Sequence, residues 1–269
     1  MARWRKSIGL FILLGTVAAV PCLAGPAAQT SRPALEWKKG REYAENHLFI
    51  DAVESFSRAI RLNTGEIDTA DVAAIFNSRG LAYLALNEPD KALDDFSNAI
   101  ELDEKNTEYY LNRASLLAKG KEYDKAQLDY AAAVKLNPRG TEAYAGRGMI
   151  FLENGDLSSA LADFEKVLER DPRNTAALYS MGIAFKRQKR SDKALEAFNM
   201  LLKIDPRYAA ASYQIAGIYA RSGKIDAACV WLEEAVSNGF RDRETMENDP
   251  DLASMRKVDC YRRVLSGRP

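Results

Sequence analysis

The chain has 269 residues, 47% of them hydrophobic and 28% charged, with Lys plus Arg equal to Asp plus Glu at 38 each. That balance is ordinary for a folded protein and excludes both a disordered chain and one made mostly of membrane spans. A net charge of zero offers no basic surplus of the kind nucleic acid demands, so no nucleic-acid partner is expected.

The first segment departs from this balance. MARWRKSIGLFILLGTVAAVPCLAG carries Arg3, Arg5 and Lys6, then an apolar run from Ile8 to Val20, then Pro21 and small residues. A positive start, a short apolar stretch and a small-residue cleavage zone predict a secretory signal peptide over 1–24, cut before Gly25. The run is shorter than the roughly twenty apolar residues a spanning helix needs, and Pro21 interrupts it. The mature protein is therefore expected in the periplasm or secreted, without a membrane span; an uncleaved or Cys22-lipidated N-terminus, anchored in the membrane, is the alternative. Cleavage leaves 35 Lys plus Arg against 38 Asp plus Glu, a mildly acidic chain. Residues 25–32 read as a linker.

From there the chain repeats itself. KALDDFSNAIELD at Lys91 returns as KAQLDYAAAVKLN at Lys125, 34 residues later, and SALADFEKVLERD and KALEAFNMLLKID keep the register. A fixed period between twenty and fifty residues marks a repeat architecture. Units 33–64, 73–106, 107–140, 141–174, 175–208 and 209–242 align once a six-residue excess near Thr64 to Val72 is allowed. Position eight is then Gly40, Gly80, Ala114, Gly148, Gly182 and Ala216, and position twenty is always alanine: Ala52, Ala92, Ala126, Ala160, Ala194, Ala228. Position eleven is Tyr43, Tyr83, Leu117, Phe151, Phe185 and Tyr219; position twenty-four is Phe56, Phe96, Tyr130, Phe164, Phe198 and Leu232. Small residues permit close approach of two antiparallel helices and aromatics fill the space beside them. Apolar residues at three and four spacing, as in Ala92, Leu93, Phe96, Ala99 and Ile100, put a stripe on one helix face. Asp171-Pro172 and Asp205-Pro206 end second helices, because proline disfavours helix at the residue before it. Thr141 and Thr175 read as caps of the first helices that follow.

These columns, with Pro138, Pro172 and Pro206 at position thirty-two, resemble the tetratricopeptide repeat. The resemblance implies an all-α, right-handed superhelical solenoid of six helix-turn-helix repeats. Residues 243–269 do not repeat again; Asp249-Pro250 starts a short helix there, and Tyr261, Val264 and Leu265 offer an apolar edge, so the segment is predicted to be a helical cap and tail. Position twenty-three (Ser55, Asp95, Asp129, Asp163, Ala197) is expected to face solvent, like Asp94 beside it. Trp231 at that position then implies that something covers it.

Two cysteines remain after signal removal. Cys229 sits at position twenty-one, facing the next layer, and that layer is the cap holding Cys260. A disulfide tying the cap down and a pair of buried thiols are both consistent with the sequence. His47, the only histidine, lies in a turn without ligands at metal spacing, and no phosphate-binding loop, HExxH, CxxC or GxSxG occurs. No enzyme activity, metal or cofactor is expected.

The resemblance also implies where a partner would sit. In this family the first helices line a concave groove, and the matching positions here include Lys38, Arg41, Asn77, Asn112, Tyr179, Lys186, Arg187, Tyr213, Gln214 and Arg221. Tyr179 and Tyr213 would anchor a protein or peptide segment, and Lys186, Arg187 and Arg221 would favour acidic character in it. The run KRQKR, Lys186 to Arg190, also reads simply as a solvated helix end complementing the dipole. Asn77 and Asn112 lack the basic neighbours with which some family members clamp a terminal carboxylate. The expected function is a non-catalytic scaffold or adaptor of the cell envelope. A cell-wall accessory recognising saccharide or peptide fragments is the alternative, and self-association through the first repeat is a third reading.

Overall fold

The computed structural model describes residues 31–266, in which every regular element is helical. The signal-peptide reading of 1–24 and nearly all of the linker lie outside the described residues. Six antiparallel pairs follow one another: α1 (Arg32–Glu45) with α2 (Phe49–Leu62), α3 (Thr69–Ala85) with α4 (Pro89–Leu102), α5 (Thr107–Lys119) with α6 (Tyr123–Leu136), α7 (Thr141–Asn154) with α8 (Leu157–Arg170), α9 (Thr175–Arg187) with α10 (Ser191–Ile204), and α11 (Ala209–Arg221) with α12 (Ile225–Ser237). The second helix of each pair packs on the first helix of the next, from α2 on α3 through to α10 on α11. The chain ends in α13 (Arg243–Asn248), a 3₁₀ turn over Pro250–Met255, and α14 (Asp259–Ser266).

The contact within each pair rests on positions eight and twenty-four. A Cβ added to Gly40, Gly80, Gly148 or Gly182 would lie 2.4–2.8 Å from the ring of Phe56, Phe96, Phe164 or Phe198 of the same repeat. Those four rings are essentially fully buried. In repeat three, Ala114 takes the small position and Tyr130 leans instead toward the next repeat, where a Cβ on Gly146 would come within 2.3 Å of its ring. The small residues are thus set by the distance of the neighbouring ring.

Each pair turns in the same way. Position fifteen has a left-handed backbone in all six repeats: His47, Asn87, Lys121 and Lys189 at φ between 59° and 65°, Gly155 at 83° and Gly223 at 76°. In five of them the N–H of the following residue donates to the carbonyl of position eleven, as Arg190 does to Phe185 at 2.9 Å. This closes the first helix in the Schellman manner. Four non-glycine residues bear the strain of that conformation, at about 1 kcal/mol apiece. Lys189→Gly should raise stability by about 0.5 kcal/mol, the relief of strain being partly offset by the freer unfolded chain, while Gly155→Ala should lower it by about 1 kcal/mol. Urea denaturation of the two variants measures both signs.

Two sequence expectations are corrected here. Thr141 and Thr175 are first residues of their helices and not caps: Gly140 precedes α7, and Asn174 caps α9 by accepting from the Ala177 N–H at 3.0 Å. Position twenty-three is not solvent-facing, since Ser55, Asp95, Asp129, Asp163 and Ala197 are all buried. For the three aspartates the physical reason is a partner sixteen residues earlier, at position seven. Arg79 donates to both oxygens of Asp95 at 2.8 and 2.7 Å, Arg113 to Asp129 at 2.7 and 2.8 Å, and Arg147 to Asp163 at 2.9 Å twice. Arg79 and Arg113 also reach back to the hydroxyls of Ser57 and Ser97 in the preceding repeat, at 2.9 and 3.1 Å. The pair becomes Met181 with Ala197 in repeat five and Ile215 with Trp231 in repeat six. The pair is ionic in repeats two to four and apolar in repeats five and six.

The six-residue excess is used at the first joint. Asn63 accepts from the N–H groups of Gly65 and Ile67 and donates to the Ile67 carbonyl, and Asp68 caps α3 by accepting from Asp71 at 2.8 Å. Ile67 is buried with Phe56 and Ile75, and α3 begins four residues before the repeat boundary. Among the described residues, no helix is long and apolar enough to cross a membrane.

Candidate functional site: the concave face and its stopper

The first helices present their inner faces side by side, and polar residues there bond from one repeat to the next. Asn77 is buried; its amide donates to Glu108 Oε1 at 3.0 Å, and its oxygen accepts from Asn112 Nδ2 at 2.8 Å. The Ser180 hydroxyl lies 3.3 Å from Met149 Sδ, and the Gln214 amide 3.5 Å from the Tyr179 hydroxyl. Asn77 and Asn112, expected to face a ligand, are largely engaged with each other and with Glu108. At the N-terminal end Lys38 and Arg41 are exposed, Arg41 over the Trp37 ring at 5.1 Å.

The C-terminal end of this face is filled by the chain itself. The 3₁₀ turn packs on α11, with Leu252 and Met255 fully buried beneath it. Tyr213 is only 2% exposed, stacked on Phe240 with centroids 4.2 Å apart, and its hydroxyl donates to Asp249 Oδ2 at 2.7 Å. Burial, then the Asp249 carboxylate, pushes the Tyr213 phenol well above its ordinary range. Lys186 Nζ sits 2.7 Å from Asp251 Oδ2 and donates to Gln214 Oε1 at 2.6 Å, while Arg221 lies 3.6 Å from Asp251. Gly217 makes room for this, because a Cβ there would stand 3.3 Å from the Asp251 Cβ. Ser254 closes the arrangement by donating to the Ala220 carbonyl at 3.0 Å.

Four expected groove residues therefore have internal roles. Tyr213 and Gln214 lie under the cap, and Lys186 is held by Asp251. Tyr179 packs against Phe198 and Tyr208 with centroids 5.8 and 5.5 Å away, and its burial raises its pKa to about 12. Arg187 is exposed, yet one of its nitrogens lies 2.5 Å from the Leu152 carbonyl, in the last turn of α7, so it also complements a helix end. What the sequence reading missed was the path of the cap. Its signals were the acidic Asp249-Pro250-Asp251 and the lone glycine at position nine, Gly217.

A covalent bond also fastens the cap. Cys229 and Cys260 form a disulfide with Cα atoms 5.8 Å apart, joining α12 to α14 across a separation of 31 residues. Within the cap, Tyr261 of α14 donates to the Met246 carbonyl of α13 at 2.8 Å. In the chain-entropy view a bridge of this loop length contributes about 3–4 kcal/mol. Thermal unfolding followed with and without a phosphine reductant should show the melting temperature fall on reduction, and Cys260→Ser should melt like the reduced wild type.

Stacked helix pairs with a lined inner face define a class, the helical-repeat scaffolds for protein interaction. More closely, family models described as tetratricopeptide repeat match residues 73–106 and, in overlapping stretches, 111–175, 146–209 and 179–243, and the chain belongs to that family. Mouse serine/threonine-protein phosphatase 5 is 37% identical over 98 residues, 36% of this chain and 18% of that protein, so the chain spans less than a fifth of that relative. A solved tetratricopeptide repeat protein from Parabacteroides merdae ATCC 43184 is similar in fold, with a TM-score of 0.63 at 22% identity over 80% of this chain and 96% of that one. YrrB, described as having an unusual peptide-binding site, gives 0.58 at 24% identity over 65% and 88%. MamA from Desulfovibrio magneticus RS-1 gives 0.59 at 19% over 62% and 94%.

Proposed function

We propose that the protein is a non-catalytic adaptor of the cell envelope that holds an acidic segment of a partner protein along the concave face of its repeats, between Lys38 and Arg187. The observation that carries the reading is the chain's own occupant at the far end. Asp249 and Asp251 are received there by the Tyr213 hydroxyl, Lys186 and Arg221, so acidic side chains are accommodated at that end of the face. The cap ends the site, and the partner's length is confined to the repeats before it. Export rests on the predicted signal peptide, and the structurally similar YrrB is itself described as having a peptide-binding site.

The test is site-specific photocrosslinking from position 112 in envelope preparations, with wild type compared to Lys38→Glu, Arg41→Glu, Arg187→Glu. A crosslinked protein lost only from the charge-reversed variant, whose helical signal is unchanged, supports the groove. Equal crosslinking by both would move the interface elsewhere.

A further inference from the structure

Position twenty-four is phenylalanine in four repeats and leucine in the last; repeat three alone carries a hydroxyl there, on Tyr130. The four phenylalanines lie under the small residue of their own repeat, whereas Tyr130 reaches across to α7 of the next. A Cβ built on Gly146 would fall 2.3 Å from the Tyr130 Cζ and 2.6 Å from its hydroxyl oxygen. Gly146 holds position six, and the side chains at that position in the repeats before and after it, Asn112 and Ser180, belong to the concave face. The end of the Tyr130 phenol therefore stands on that face in place of the side chain that Gly146 lacks. It is delivered there by a second helix, α6, where the rest of the face comes from first helices.

The hydroxyl is open and has a proton to give. Tyr130 is only 7% exposed, yet its oxygen is not among the unpaired oxygens sealed from water, and no acceptor bonds its proton among the described residues, so the exposed part is the hydroxyl end. Burial raises its pKa to about 12, against the donor action of the neighbouring Ser115 hydroxyl, so the phenol stays protonated. The floor around it is low. Ser115, Ala145 and Gly146 bear nothing larger than a hydroxymethyl group, while Asn112 and Tyr179 stand in the repeats on either side. A main chain can come within hydrogen-bonding distance of such a floor, and a large side chain is not needed to fill it. The exposed carboxylates of Glu142 and Glu153, on the same helix as Gly146, oppose a partner carboxylate at this point and favour a neutral acceptor.

We propose that Tyr130 and Ser115 form a station for the main chain of the partner segment, the Tyr130 hydroxyl donating to a backbone carbonyl in a neutral, extended stretch of small residues. The inference rests on the reading of the concave face as the partner site, and it adds an order to that partner: acidic residues toward its two ends, near Lys38 and Arg41 and near Arg187, and small uncharged residues between them.

The test uses the full mature protein and two fluorescein-labelled peptides of about a dozen residues, roughly 40 Å when extended. One has two aspartates at each end and glycines between; the other has asparagine for aspartate. Fluorescence anisotropy should show saturable binding of both, tighter for the acidic-ended peptide. Tyr130→Phe, which copies position twenty-four of four other repeats, should keep the helical signal and melting temperature and weaken both peptides about three- to tenfold. Replacing the central glycines one at a time by glycolate, whose ester carbonyl is a poorer acceptor, should weaken binding to wild type at one position and leave binding to Tyr130→Phe unchanged there. Equal binding by wild type and Tyr130→Phe, or binding of neither peptide by wild type, overturns the station. Equal affinity for the two peptides, with Tyr130→Phe still weaker for both, would instead overturn the acidic ends and support the station.

Discussion

Replacing Arg79 by methionine should cost about 3 kcal/mol, whereas replacing Arg147 and Asp163 together by methionine and alanine should cost less than about 1 kcal/mol. The single change leaves the Asp95 carboxylate buried without its two charge-assisted bonds, and a buried charge without a partner is far more costly than no charge at all. The double change copies what the chain does in repeat five, where Met181 and Ala197 occupy the same two places. An asymmetry should accompany this. Asp163→Ala alone should hurt less than Arg147→Met alone, because a freed guanidinium on its long stem can reach water. Urea denaturation of wild type, Arg147→Met, Asp163→Ala and the double variant gives the coupling energy directly, and a double variant as unstable as the single ones would refute this reading of the ionic pairs.

The second large effect concerns position eight. Gly182→Val should destabilise the stack by about 3 kcal/mol or more, since even a Cβ there would stand 2.4 Å from the buried Phe198 ring. Phe198→Ala should cost about 3–5 kcal/mol through the cavity it leaves. The two sites should couple. Gly182→Ala gains up to about 1 kcal/mol of helix propensity, and its steric penalty should shrink when Phe198→Leu withdraws the ring edge, so the double variant should be more stable than the sum of the singles predicts. Additive free energies in a double-mutant cycle would show that the glycine is not set by the ring.

Much of this architecture was legible in the sequence because its constraints are local. A glycine forced by a phenylalanine sixteen residues away recurs with the period, so the columns at eight and twenty-four announce the helix pair. The Arg79–Asp95, Arg113–Asp129 and Arg147–Asp163 pairs recur as well, but position twenty-three read alone looks like surface aspartate. Only its joint disappearance with position seven, at Met181 with Ala197, marks the two as one unit. The candidate site was less legible. Lys38, Arg41 and Arg187 lie exposed as expected, but the burial of Tyr213 and the pairing of Lys186 depend on where a non-repeating segment travels. Periodicity carries no information about a segment that lacks it.

Six units built on one pattern face an error that a protein without repeats escapes, since any second helix could in principle seat any first helix and the stack could close with a unit skipped or exchanged between molecules. The six-residue excess between Thr64 and Val72 works against that error. By burying Ile67 between α2 and α3 and adding a turn to the start of α3, it gives the first joint a shape that no later joint reproduces. Repeat one is thereby keyed to repeat two alone, and assembly is counted from a fixed origin. A chain with residues 64–69 removed would keep every pairwise contact rule of the stack while losing its zero point, and mispaired or swapped species should be where that loss is seen.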